Sequence, residues 1–88
     1  VGGIIYYDWC NKLYSLGEIR NLSAELQRLA TIPLLIAADM EGGPVMRFRV
    51  AFSQTTGNRE LRNPIHAYET AYALGCEMRF AGINMNLA

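Results

Sequence analysis

The chain has 88 residues, one small domain at most. Its eight basic and eight acidic side chains cancel, which leaves no electrostatic reason to expect nucleic acid or an anionic membrane as a partner. Hydrophobic residues make up 51% and charged residues 18%, against roughly a quarter charged in an average soluble domain, so part of the apolar content is expected to pack against something outside these residues. Cys10 and Cys76 lie far apart and match no metal-ligand spacing. No apolar run approaches the ~18 residues of a membrane span. With no initiator Met and no signal peptide, and with apolar strand-like runs at both ends, the segment reads as part of a longer protein.

Val1 to Tyr7 (VGGIIYY) reads as a short buried strand, continuous and rich in β-branched and aromatic residues. Asp8 to Tyr14 is a polar loop carrying Trp9. Ser15 and Glu18 have the spacing of a capping box, in which hydroxyl and carboxylate satisfy free backbone donors at a helix start. Leu16, Ile19, Leu22, Leu26 and Leu29 then recur at helical spacing, which predicts a helix over 16–30. Ile32 to Ala38 is a second continuous apolar run, with Pro33 at its beginning and Asp39 at its end. Strands apolar on both faces belong to parallel sheets covered by helices. Met40 to Gly57 is a long connection with a possible short strand near Val45 to Phe52.

Asn63-Pro64 supplies a cap and a first-turn proline for a second helix. Ile65, Tyr68, Ala71, Tyr72, Gly75 and Met78 follow at 3- to 4-residue spacing, the small residues allowing close approach to a sheet, and Gly82 is a C-terminal breaker. Ile83 to Ala88 reads as a third strand. The order is βαβαβ, an α/β arrangement with parallel strands. It fits either a piece of a (β/α)8 barrel or half of a doubly wound open sheet. Both place ligands at the carboxyl ends of the strands, which singles out Asp8 and Asp39.

In IPLLIAADMEGGPVMRFR, over Ile32 to Arg49, Asp39 ends a buried strand. Such a carboxylate must be solvated in a cleft or hydrogen-bonded. It either accepts ligand hydroxyls, as sugar recognition requires, or caps the free N–H groups of Gly42 and Gly43. Glu41 could pair with Asp39 as a second catalytic carboxylate, but reads better as structural, tied to Arg47 or to backbone. Gly42 and Gly43 permit positive φ and a tight turn, and no phosphate-loop pattern surrounds them. Arg47 and Arg49 alternate, so an extended segment would put them on one face, clamping a carboxylate or bracing Asp39 and Glu41; for Arg49 a solvated surface position is the simpler reading. His66, in the first turn of the second helix, reads as a surface residue. Cys10 and Cys76 have no His nearby in sequence to make them nucleophiles. Tyr6, Tyr7, Trp9 and Tyr14 either stack on a ligand or pack as core and rim.

The run Asp39, Glu41, Gly42, Gly43, Val45, Arg47 after an apolar strand resembles the N-terminal barrel domain of glycoside hydrolase family 3, in its β-N-acetylhexosaminidase branch. VGGII at the start, LQRLATIPLL, CEMRFAGIN and the terminal NLA resemble it too, so the likeness covers residues 1–88. It implies a βαβαβ portion of a (β/α)8 TIM-type barrel. It also implies retaining hydrolysis of a terminal β-linked N-acetylglucosamine, without metal or organic cofactor. By the same likeness Asp39 and Arg47 are substrate-binding, and Glu41, Gly42 and Gly43 shape the site. The family's nucleophilic Asp and its His–Asp acid/base lie further along its chain, so no catalytic residue is expected in this segment, which alone should not turn over substrate. The family's usual Arg-Val-Gln-Arg is here Pro44, Val45, Met46, Arg47, which bears on the sugar accepted. A β-glucosidase or β-xylosidase specificity, or a non-catalytic α/β ligand-binding module, are the alternatives. The expected partners are a carbohydrate and the remainder of the chain's own barrel.

Overall fold

A computed structural model of the chain describes residues 1–8 and 12–88. The expectations for Trp9 and Cys10 lie outside the described residues. The elements run β1 (Gly3–Ile5), α1 (Leu16–Leu29), β2 (Leu35–Ala38), β3 (Met40–Gly42), β4 (Val45–Met46), a 3-10 turn (Asn58–Glu60), α2 (Pro64–Ala81) and β5 (Met85–Asn86). β1, β2 and β5 form a three-stranded sheet in the order β1-β2-β5, parallel throughout. The long connection contains a feature that the sequence reading does not foresee: β3 and β4 pair antiparallel as a small hairpin.

Both helices begin as their sequences dictate. The Ser15 hydroxyl accepts from the Glu18 amide at 3.1 Å, and the Glu18 carboxylate accepts from the Ser15 and Tyr14 amides at 3.2 and 2.7 Å. Removing such a cap costs about 1 kcal/mol. At α2 the Asn63 side chain accepts from the Ile65 amide at 2.9 Å, and Gly82 closes the helix in the left-handed region at φ 78°. α2 buries Leu74, Met78 and Ala81, whereas Ala71 and Gly75 are exposed. The small residues therefore do not set the helix-to-sheet distance. The large residues of the predicted stripe, Ile65, Tyr68 and Tyr72, are exposed as well.

The helix-facing side of the sheet carries Ile36 and Ala38, both fully buried, in a core with Tyr6, Ile19, Met78 and Ile83. Burying one such aliphatic side chain contributes roughly 1.5–3 kcal/mol. Register places Ile5, Ala37 and Met85 side by side on the opposite face, with Leu35 one pleat away. There Ile5, Leu35 and Met85 remain 41–55% exposed.

β5 is short because side chains finish its ladder. Asn84 donates its amide to the Leu34 carbonyl at 3.0 Å and accepts from the Ile36 amide at 2.7 Å. Asn86 brackets the amide and carbonyl of Met40 at 2.9 Å each. Gln27 of α1 does the same for Leu34, again at 2.9 Å for both bonds. Each carboxamide imitates a peptide group, with donor and acceptor in one plane. Strand β2 is thus pinned at both ends by side chains that carry no strand pattern.

Candidate functional site

Strand β2 ends at Ala38 and delivers Asp39 at the carboxyl edge of the sheet. The chain then turns through the β3–β4 hairpin and comes back, and the Arg47 amide donates to the Asp39 carbonyl at 3.1 Å. That return places the two side chains together. Arg47 Nη2 and Nε donate to the same carboxylate oxygen, Asp39 Oδ2, at 2.5 and 3.2 Å. The pair is part-buried, with Arg47 and Asp39 side chains 28% and 22% exposed. Charge-assisted bonds of this kind are stronger than neutral ones. The Asp39 hydrogen bond holds the guanidinium pKa above its ordinary value, against a smaller opposing effect of burial. No donor among the described residues reaches the other oxygen, Asp39 Oδ1.

The carboxylate does not cap the glycines. Gly43 donates to the Thr55 carbonyl at 2.8 Å instead. Gly42 and Gly43 have φ of 78° and 55°, and a Cβ on Gly42 would stand 2.3 Å from the Thr56 carbonyl oxygen. Both properties that the turn demands, a positive φ and backbone-to-backbone approach, admit only glycine there.

Arg47 and Arg49 do not share a face, because Phe48 between them turns left-handed at φ 51°. That conformation costs about 1–2 kcal/mol for a residue with a side chain. It also ends the strand expected to run on to Phe52, and β4 stops at Met46. Arg47 swings to Asp39, while Arg49 donates to the Gly43 carbonyl and to Gln54. Arg49 is exposed, as the surface reading expects, and from there it braces the glycine turn.

The Glu41 carboxylate is neither tied to Arg47 nor hydrogen-bonded to any described residue. It lines a groove of about 850 Å³ that runs beside α2 and β5 with Thr55, Asn58, Met78 and Asn86. Asp39 and Arg47 are not among the residues lining that groove. Pro44 is exposed at the turn, and Met46 is buried opposite Met40 in the hairpin.

The end of β1 completes the surroundings. The Arg47 guanidinium lies 4.8 Å from the Tyr7 ring centroid, in cation–π geometry. The Asp8 carboxylate accepts from the Phe48 amide at 2.6 Å. Tyr6 is core, edge-on to Phe48 at 5.8 Å and hydrogen-bonded to the buried Ser23 hydroxyl at 2.9 Å. Tyr14 is exposed, as is Cys76. His66 is exposed in the first turn of α2, and its imidazole hydrogen-bonds to no described residue. Among the described residues no group of three or more His, Cys, Asp or Glu is placed to hold a metal ion. No helix there is long and apolar enough to cross a membrane.

The family model described as glycosyl hydrolase family 3 N terminal domain matches residues 1–88. The chain is 38% identical over 95 residues to a beta-hexosaminidase of Nitrosospira multiformis, covering 98% of this chain and 27% of that protein. It is 35% identical over 95 residues to a beta-hexosaminidase of Nitrosomonas eutropha, with the same coverage. Among solved structures it resembles a glycoside hydrolase family 3 beta-N-acetylglucosaminidase from Paenibacillus, at 42% identity and a TM-score of 0.91, covering 100% of this chain and 18% of that one. It also resembles NagZ from Neisseria gonorrhoeae in complex with N-trifluoroacetyl-D-glucosamine, at 26% identity and a TM-score of 0.78, covering 100% of this chain and 28% of that one. The chain thus spans about a quarter of the length of the curated relatives it matches. Its parallel βαβαβ unit is a portion of a (β/α)8 TIM-type barrel, not half of an open doubly wound sheet.

Proposed function

Since the chain belongs to glycosyl hydrolase family 3, within its N-terminal domain, we infer that it forms one wall of the sugar pocket of a retaining exo-glycosidase that releases terminal β-linked N-acetylglucosamine. The observation that carries this reading is the Asp39–Arg47 pair at the carboxyl end of the middle parallel strand, where (β/α)8 enzymes hold their substrates. Arg47 occupies one carboxylate oxygen and keeps Asp39 oriented. The other oxygen is open to accept hydrogen bonds from sugar hydroxyls. Gly42 and Gly43 turn the chain tightly enough for the arginine to return, and Glu41 contributes to the neighbouring wall.

Bond breaking belongs to residues elsewhere in the barrel. In the family's reaction a carboxylate attacks the anomeric carbon, a covalent glycosyl-enzyme forms, and water releases the sugar. His66 has no part in this reading. The rest of the barrel is also the natural cover for Ile5, Leu35 and Met85, which face the barrel axis side of the sheet.

Assaying the full-length protein on aryl glycosides tests the reading. The expected result is preference for the N-acetyl-β-glucosaminide over the β-glucoside and β-xyloside. Asp39→Ala should lower kcat/KM by on the order of 10²-fold, the loss of one to two hydrogen bonds to a charged group. Preference for the unacetylated sugars would move the chain to a β-glucosidase or β-xylosidase specificity. An undiminished Asp39→Ala enzyme would remove the sugar-holding role. The 88-residue segment by itself should show no turnover.

A further inference from the structure

We propose that Asp8 is the positioning residue for the Asp39–Arg47 pair: by fixing the Phe48 amide it sets the direction in which Arg47 leaves the hairpin, and so the orientation of the open Asp39 oxygen. The inference rests on the sugar-holding reading of Asp39 and deepens it.

Three consecutive residues at the end of β1 each grip a different part of the Arg47-Phe48 step, some forty positions later in the chain. The Tyr6 ring packs edge-on against the Phe48 ring at 5.8 Å. The Tyr7 ring lies under the Arg47 guanidinium at 4.8 Å. The Asp8 carboxylate takes the Phe48 amide at 2.6 Å. Phe48 needs such a hold, because its φ of 51° is a conformation that a side chain disfavours. It is also a residue on which the site turns. Were Phe48 to relax to an extended conformation, the chain on either side would rotate and Arg47 would no longer return to Asp39. The Phe48 ring is buried at 3% exposure and anchors one side of the residue. Asp8 anchors the other, at its backbone.

This assignment also explains why an acid that ends a parallel strand at the ligand-binding edge need not contact ligand. One Asp8 oxygen is already committed to the Phe48 amide. The remaining charge lies close enough to Arg47 to favour its cationic form. Asp8 therefore acts through Arg47 and is not itself a sugar-holding group. The two strand-ending acids divide the work: Asp39 faces the substrate, and Asp8 holds the loop that holds Asp39.

The test uses the full-length protein with substitutions at Asp8, alone and in an Arg47→Ala background, and two readouts. Asp8→Ala removes the acceptor; Asp8→Asn keeps a carbonyl oxygen for the Phe48 amide and removes the charge. Asp8→Ala should raise KM for the aryl N-acetyl-β-glucosaminide about tenfold, the loss of one charge-assisted hydrogen bond. Asp8→Asn should bring KM back to within about threefold of the parent, because the neutral bond keeps roughly half the strength. In an Arg47→Ala background, Asp8→Ala should add nothing, since the two changes act through one contact. Hydrogen exchange of the Phe48 amide should speed up in Asp8→Ala and much less in Asp8→Asn. Should Asp8→Ala be too unstable to assay, Asp8→Ser, whose oxygen falls short of the amide, gives the same comparison. Equal losses in the Asn and Ala variants, additive effects with Arg47→Ala, or unchanged Phe48 exchange would each overturn the proposal. The exchange readout does not depend on turnover. If the parent protein leaves the glycoside intact while Phe48 exchange responds as expected, the sugar reading has failed and the positioning has not.

Discussion

Gly42→Ala tests the physical argument for the site most directly, because the structure states two separate penalties. Gly42 sits at φ 78°, and placing a side-chain-bearing residue in that region costs about 1–2 kcal/mol. The new methyl would also stand 2.3 Å from the Thr56 carbonyl oxygen and 2.5 Å from the Thr55 hydroxyl. The hydroxyl can rotate away. The carbonyl cannot, because it is backbone in a segment bonded to the turn through the Thr55 carbonyl. Relieving such a contact costs about 1–3 kcal/mol. The reduced freedom of the unfolded chain returns about 0.4–1 kcal/mol. The net loss is about 2–4 kcal/mol, a large part of a typical stability of 5–15 kcal/mol. It should appear in the full-length protein as a fall of the urea midpoint by about 1 M or more. KM for the glycoside should rise alongside, because the hairpin that returns Arg47 has shifted. Gly17→Ala is the control: it lies in the first turn of α1, where a Cβ would meet only Ser15 Oγ at 3.9 Å. That variant should be unchanged or slightly more stable. A Gly42→Ala midpoint within about 0.2 M of the parent would refute the account of the turn.

Two further changes probe the frame around the site. Tyr6→Phe leaves the buried Ser23 hydroxyl without its partner and should cost about 1–2 kcal/mol in thermal or urea unfolding. Burial raises the Tyr6 phenol above its ordinary 10.0, the Ser23 hydrogen bond opposing with a smaller effect, so the folded state favours the neutral ring. That stability is fully present below pH 10 and is lost as pH climbs through the raised folded value; a stability–pH curve should show an alkaline limb that Tyr6→Phe removes. Asn84→Leu strips a donor and an acceptor from the backbone of β2 at Leu34 and Ile36. It should cost about 1–3 kcal/mol, because the Ile36 amide loses its acceptor while the Leu34 carbonyl keeps the Gln27 amide, seen as a lower midpoint, whereas a packing-only role would leave Asn84→Leu neutral.

The two helices were legible because their signals are local. Ser15 with Glu18, Asn63 with Pro64, and Gly82 act on backbone within four residues of themselves, and no other part of the chain can overrule them cheaply. The parallel sheet was legible from runs apolar on both faces, which have no other economical home. The strand ends were not. Val1–Tyr7 and Ile83–Ala88 read as longer strands than Gly3–Ile5 and Met85–Asn86, because the pairing stops where the neighbour stops. Asn84, Asn86 and Gln27 then take over the ladder. Polar residues of this kind look like loop or helix surface in a sequence, and only their partners reveal the role. Glu41 reads as tied to Arg47 or to backbone, and its side chain bonds to neither among the described residues, while the hairpin brings residues 39 and 47 together.

The sequence by itself determined that Asp39 would stand at the carboxyl end of a buried strand, that two glycines would turn the chain just after it, and that the motif resembled a sugar-hydrolysing family. Those are properties of short windows: apolar runs, caps, and residue types that only one backbone conformation suits. Tertiary structure decided which arginine meets the aspartate. Arg47 and Arg49 are equivalent in an alternating pattern. One left-handed residue, Phe48, held by Tyr6 and Asp8 from the far end of the chain, sends the first to Asp39 and the second to the Gly43 carbonyl. The choice depends on contacts forty residues apart, and such contacts exist only once the sheet has brought β1 beside β2.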